Sequence, residues 1–224
     1  MFAPDVLDPA VAFLARLAGA GPALELAIGT GRVAIPLARR GIPVSGIELS
    51  EPMVDQLRHK ASAEELPVVV GDMATAVAPG SFSLVYVVWN GIGKLRTQDE
   101  QVQCFANAAR HLAPGGHFVV ELGVPGIRRY PPGQTAVPFH VDDRHVGFDT
   151  YDMATQTGTS HHYTRSADGT VRYGASNFRY IWPAECDLMA RLAGLELEQR
   201  VEGWARRPFT ADSESHVSVW RRRS

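Results

Sequence analysis

The chain has 224 residues, 45% hydrophobic and 21% charged, and that suits one globular domain with a substantial core or one domain carrying an insertion. A formal net charge of −2 argues against a nucleic-acid partner, and the one dense basic cluster, Arg221-Arg222-Arg223, reads as a solvated chain end. Asp5, Asp8 and Arg16 interrupt the first apolar run and no apolar stretch nears the roughly 20 residues that span a bilayer, so the expectation is a soluble, cytoplasmic protein with no membrane partner.

In chain order, Asp8-Pro9 reads as a helix cap and first turn, with Val11, Leu14, Leu17 and Ala18 on one face and Gly19 or Gly21 ending it. A strand follows at 23–28. The next helix runs to Arg39 or Arg40, and Pro36 requires it either to start late, near Arg32, or to have a distorted first turn. A second strand at 44–49 leads to Ser50, which caps a helix opened by Glu51 and Pro52. Apolar strands at 68–70 and 84–88 end at Gly71-Asp72-Met73 and Trp89-Asn90-Gly91. A helix at 97–112 holds Cys104, residues 113–116 form a turn, and 118–122 is a fifth strand. Five apolar strands mostly separated by helices indicate an α/β, doubly wound parallel sheet covered on both faces.

After Pro125 the periodicity changes. From 137 to 182 alternation points to an antiparallel insertion of about four strands, with hairpin turns at Asp142-Asp143 and Asp168-Gly169, the second a type I′ signal. Pro183 opens a helix that holds Cys186 and closes at Gly194, and strands at 195–201 and 217–220 pair antiparallel across a loop of about 15 residues. Both cysteines read as small buried thiols of a reducing compartment. The division expected is a cofactor-binding unit at 1–124 and 183–224, with 125–182 as an inserted substrate cap or dimer interface.

Four features sit at consecutive strand ends, where open α/β sheets bind ligands. Gly29-Thr30-Gly31 is a tight turn that lets a nucleotide-like ligand approach backbone N–H groups. Glu48, 19 residues after Gly29, is placed to accept from two ribose hydroxyls. Asp72-Met73 pairs an acceptor for an exocyclic amine with a thioether to pack on an adenine ring, and Asn90 lies where cofactor meets substrate. Each has a bland alternative: an ordinary turn, a solvated acid, a Gly-Asp turn, a capping Asn. The first two also fit an NAD-binding domain.

The segments LELAIGTGRVAIPLA, VSGIELSEPMV, VVVGDMAT and HLAPGGHFVVEL, with the tail helix PAECDLMARLAGL, together resemble the successive motifs of class I S-adenosylmethionine-dependent methyltransferases. The chain is most similar to small bacterial members such as the aminosugar N-methyltransferases. The resemblance implies a Rossmann-like sheet of seven strands, the last antiparallel, with an antiparallel insertion after strand five. It implies methyl transfer from S-adenosylmethionine to a nitrogen or oxygen of a small molecule, with S-adenosylhomocysteine as product. It places Glu25 and the backbone from Ala27 through Gly29 and Thr30 to Gly31 against the methionine part. Glu48 would hold the ribose, Leu49 and Met53 would lie on the adenosine, Asp72 and Met73 would hold the adenine, and Asn90 would line the floor. Ala27 stands where the family usually has a further glycine. A cofactor-binding protein without catalysis and an NAD-dependent oxidoreductase are the other readings.

On the substrate side, base candidates are His140, His145, His161 and His162; adjacent His161 and His162 point to opposite faces of a strand and make a poor metal pair, so no metal is expected. Trp89, Tyr180, Trp182 and Trp204 are the pocket candidates. Aromatic residues crowd the insertion, which also suits a homodimer interface.

Overall fold

The computed structural model describes residues 4–223. Helix α1 spans Pro4–Ala18, so Pro9 lies inside it and Asp8 is not its cap. The apolar face through Leu7, Ala10, Val11 and Leu14 packs on the core, and that burial carries the helix through the proline. Strand β1 (Ala23–Leu26) leads through the glycine turn to α2 (Ala34–Ala38). This helix is only 5 residues long and starts later than Arg32, which leaves Pro36 in its first turn, where no backbone donor is needed. Next come β2 (Val44–Glu48), α3 (Glu51–Arg58), β3 (Val68–Val70) and β4 (Phe82–Val87). Helix α4 (Gln98–His111) opens with a capping box between Thr97 and Glu100.

Strand β5 (Leu112–Gly123) is longer than expected. Residues 113–116 do turn, but as a bulge inside the strand: Leu112 pairs with Phe82 and His117 with Leu84, so the register shifts by three residues across it. The insertion supplies β6 (Ala136–Val141), β7 (His145–Asp152), β8 (Thr157–Arg165) and β9 (Val171–Arg179). Asp168-Gly169 is not a type I′ turn. Gly169 alone has a positive φ, and a five-residue connection closes with Gly169 N–H donating to the Ser166 carbonyl. Helix α5 (Pro183–Leu192) then leads to β10 (Leu195–Glu202), the two-residue β11 (Arg207–Pro208) and β12 (Ser215–Arg222).

The main sheet has the order β11-β10-β12-β5-β4-β1-β2-β3. Strands β1 to β5 are mutually parallel, and β12 runs antiparallel to both β5 and β10, which turns β10 back to the common direction. Six strands therefore run one way and β12 runs against them, with β11 as a two-residue antiparallel edge addition. Alternation sends one set of side chains, including Phe118 and Trp220, against Phe105 of α4, with ring centroids 5.1 and 5.4 Å apart. The other set, with Leu84 and Val119, packs under Leu14 of α1 and Leu37 of α2. Strand order reverses between β1 and β4, so the turns after these two strands open side by side at the carboxyl edge. Among the described residues, no helix is long and apolar enough to cross a membrane.

The insertion forms its own antiparallel sheet in the order β6-β7-β8-β9. Register divides its side chains. Asp149, Ser160 and Ser176 align on one face, and so do Gly147, His162 and Gly174. Phe148, His161 and Ala175 align on the other.

Candidate active site

Glu25 lies in β1 among four buried residues, and its register partner on β4 is Tyr86. The Tyr86 hydroxyl donates to Glu25 Oε2 at 3.0 Å. Burial pushes the carboxyl up to about 8 against the pull of that hydrogen bond, a backbone N–H from Ala34 and the Arg32 charge. Beyond it the chain turns sharply: Ala27, Gly29 and Gly31 have φ of 55°, 57° and 77°. Ala27 holds a left-handed conformation that a Cβ disfavours. The turn is pinned from β2. Glu48 Oε2 accepts from Gly29 N at 2.8 Å and Oε1 from Ser50 N at 2.9 Å. The Thr30 carbonyl accepts from Lys60 Nζ at 3.0 Å.

Around the buried Glu48, Leu49 and Met53 are 69% and 46% exposed, an apolar rim with no protein cover. The Asp72 carboxylate caps its own turn by accepting from Ala74 N at 2.8 Å. Met73 is less open than expected: it is only 7% exposed and its side chain belongs to the core cluster. The backbone needs that anchor, because the Met73 carbonyl accepts from buried Asn107 of α4.

After β4, Trp89 and Asn90 both have φ of 56°, two successive left-handed non-glycine residues. Such strain concentrates at functional sites. Trp89 is held by its N–H donating to Glu121 Oε2 at 2.8 Å and by the Arg32 guanidinium 5.2 Å over its ring. Asn90 Oδ1 accepts from Gly123 N at 2.6 Å. Burial raises the Glu121 carboxyl, opposed by Trp89 N–H, Trp204 and Arg32.

A cavity of about 440 Å³ opens from Trp89 and Asn90 towards the insertion sheet. Its walls are the end of β5 with the residues that follow it, 122–126, and the inner face of β7 to β9, with Asp149, Tyr151, Ser160, His162, Ser176 and Phe178. The expected aromatic cluster therefore splits. Tyr151, Phe178 and Tyr180 line the cavity, whereas Phe148, Tyr163 and Tyr173 stack on the outer face with His161. Trp182 precedes α5 beside Tyr180, and Trp204 is buried edge-on to Phe13 at 5.6 Å, so neither lines the cavity. Of the four histidines, His162 alone lines it. His161 bonds Tyr173 and Thr150 on the outer face, and His140 and His145 lie nearer the sheet's tip.

Sequence reasoning passed over Tyr86, Glu121 and Asp149. An acid inside an apolar strand is a signal for Glu121. Asp149 carried no such mark, because it alternates with other polar residues. Its Oδ2 accepts from the Tyr151 hydroxyl at 3.3 Å, while buried Oδ1 has no hydrogen-bond partner among the described residues.

Residues 23–116 match the family model of a methyltransferase domain. The structure of the CcbJ methyltransferase from Streptomyces caelestis superposes with a TM-score of 0.88 at 41% identity, covering 99% of this chain and 91% of that one. The chain belongs to the S-adenosylmethionine-dependent methyltransferases. The methyltransferase is also 28% identical over 204 residues to the cypemycin N-terminal methyltransferase of a Streptomyces species, covering 89% of this chain and 82% of that protein. It is 32% identical over 120 residues to a dTDP-3-amino-3,4,6-trideoxy-alpha-D-glucopyranose N,N-dimethyltransferase of Streptomyces venezuelae, covering 54% of this chain and 50% of that one. Membership favours methyl transfer over the oxidoreductase and non-catalytic readings, and S-adenosylmethionine is the cofactor. The cleft suits that group chemically: a bridging carboxylate with unused lone pairs, a strained glycine turn and an uncovered apolar rim meet at the sheet's switch point.

Proposed function

We propose that this methyltransferase methylates an amine nitrogen of a small, polyhydroxylated molecule of the amino-sugar class. Asp149 carries the reading. Its side chain lines the cavity with Oδ1 unpartnered among the described residues, and an ammonium or amine N–H is the partner such a carboxylate takes. Ser160, Ser176, Tyr151 and Lys94 around it offer partners for hydroxyl groups.

When bound, S-adenosylmethionine supplies a methyl carbon already activated by a sulfonium, so the protein's work is alignment. Glu25 and the backbone from Ala27 through Gly29 and Thr30 to Gly31 would face the methionine part. Glu48 would take the ribose hydroxyls on its remaining lone pairs, with Leu49 and Met53 covering the adenosine. Asp72 and the main chain of Met73 would hold the adenine. Asn90 and Trp89 would form the floor between the two ligands, and Tyr180 with Tyr151 would wall the acceptor. The inserted segment at 125–182 would serve as the substrate cap, and its outer face, where Tyr163 and Tyr173 are exposed, as the face a second copy covers. Two free, buried cysteines agree with a cytoplasmic home.

Mass spectrometry of a panel of amino sugars and their hydroxyl analogues, with S-adenosylmethionine, tests the acceptor. A gain of one CH₂ on amines alone is expected. In the Asp149→Asn variant amine turnover falls about 10- to 150-fold, while S-adenosylhomocysteine affinity stays within about twofold of the parent. Methylation confined to the hydroxyl analogues would overturn the assignment. Sedimentation in the micromolar range tests the dimer.

A further inference from the structure

Resting on the amine reading, we propose that His162 and His145 form a proton exit from the acceptor cavity. An amino sugar enters mainly as its ammonium, which has no lone pair to attack with. One proton must leave before transfer, from a cavity walled by Tyr151, Phe178 and Tyr180.

The inner face of the insertion sheet carries a chain of imidazoles outwards. His162 on β8 lines the cavity beside Ser160, whose Oγ is 3.3 Å from His162 Nε2. Its other nitrogen, Nδ1, lies 2.9 Å from His145 Nε2 on β7. The two ring planes are nearly parallel, 8° apart with centroids at 5.1 Å. His140 on β6 stacks on the far side of His145 at 4.8 Å, and its Nε2 contacts Asp142 Oδ2 at 2.8 Å on the exposed edge. Phe139 stands edge-on to His162 at 5.5 Å and covers Gly147, where a Cβ would meet its ring at 2.3 Å. The small residue thus leaves room for an aromatic that holds the imidazole pair in place.

The proton count closes. In the tautomer where His162 Nδ1–H donates to His145 Nε2, His162 Nε2 is an acceptor facing the cavity. It takes a proton from the ammonium. The Nδ1 proton moves to His145 Nε2, and His145 releases its own Nδ1 proton to water. The amine keeps its electron pair, and neither imidazole carries a net charge afterwards. Once product has left, His162 Nε2–H gives its proton to water in the open cavity and His145 Nδ1 takes one from solvent as the shared proton moves back, which restores the starting tautomers. Charged and titratable groups around the pair are His140 and Asp142 from β6, Asp149 from β7, and Lys94 and Arg179 across the cavity. Asp142, held near 2 by His140 and the N–H groups of Arg144 and His145, stays anionic and favours positive charge at the outer end. At the inner end Lys94 opposes positive charge and Asp149 favours it, while Arg179 is already paired with Glu185.

The test combines a spectroscopic and a kinetic reading on the full chain. Nitrogen-15 histidine spectra of the free protein should show His162 and His145 titrating as a coupled pair. His145→Gln should shift the His162 midpoint by at least about half a pH unit, whereas His161→Gln on the outer face leaves it in place. With the amino sugar that the panel methylates fastest, His162→Gln should lower kcat about 100-fold at neutral pH with KM within about threefold, and the loss should shrink as pH rises towards the amine's own pKa. His145→Gln should give a smaller loss on the same profile. Independent titration of the two histidines overturns the proposal, and so does an unchanged pH profile in His162→Gln. A panel without any methylated amine would instead refute the acceptor assignment, and the coupled titration would still decide whether the pair exchanges protons.

Discussion

Glu25→Gln tests the buried acid of the cofactor cleft. Its carboxyl titrates near 8 in the folded protein against about 4.5 when unfolded. Between those values the folded state retains a proton that the unfolded chain has released. Each rise in pH therefore favours unfolding, and stability falls through that window. From 4.5 to pH 7, at about 1.4 kcal/mol per pH unit, the burial costs the free protein about 3 kcal/mol. Glutamine has the shape of the protonated acid and keeps an acceptor for the Tyr86 hydroxyl, but it has no proton to lose. The variant should match the parent below about pH 4.5, exceed it by about 3 kcal/mol at pH 7, and gain no further above about pH 8. His216, lowered to about 4 by burial, adds an opposite slope to both proteins at acid pH and cancels in the difference. Urea unfolding followed by circular dichroism across this range measures the gap. Parallel stability profiles for the two proteins would mean that Glu25 does not hold a proton in the folded state. The gain should come with a loss. A ligand ammonium at Glu25 restores the carboxylate, so S-adenosylhomocysteine should release protons on binding near pH 7, seen as a buffer-dependent enthalpy in calorimetry, and the variant should bind it more weakly without that release.

Other expectations concern the same frame. Ala27→Gly relieves a left-handed alanine and should raise unfolding free energy by on the order of 0.5–1 kcal/mol, read by the same urea titration. Glu48→Ala removes a bridge to Gly29 and Ser50 as well as a ribose acceptor, and should weaken S-adenosylhomocysteine binding by about 1.5–3 kcal/mol in calorimetry; unchanged affinity would take Glu48 out of that role. Arg179 at the end of β9 bonds Gln101 of α4, Gln156 and Glu185 of α5, tying the insertion to the main sheet's helices. Arg179→Met should cost about 3 kcal/mol by removing the charge partner of Glu185, which keeps only the Gln98 and Gln156 amides, and adding Glu185→Leu should recover most of it.

The cofactor half of the molecule was legible because its signals are local. A glycine turn after an apolar run, an acid at the next strand end and an Asp-Met turn after the third are set by strand length and turn chemistry, and the backbone reproduces them. Local reasoning missed where neighbours from elsewhere decided. Met73 looked like a cleft residue, yet the space beneath β4 and α4 takes its side chain. Pro9 looked like a helix start, yet core burial extends α1 past it. Trp204 looked like a pocket wall, yet it closes the core against Phe13.

By itself, the sequence determined the succession of strand ends and the glycine turn of a nucleotide-type site, and the resemblance its motifs carry narrowed the cofactor. Periodicity and turn residues act within a few positions, and they need no distant partner. Only the tertiary structure decided the acceptor side. Strand register sends Asp149, Ser160 and His162 inwards and Phe148, His161 and Tyr173 outwards, and a shift of one residue would exchange the two sets. That register is fixed by pairing between strands, so no single stretch of the chain contains it.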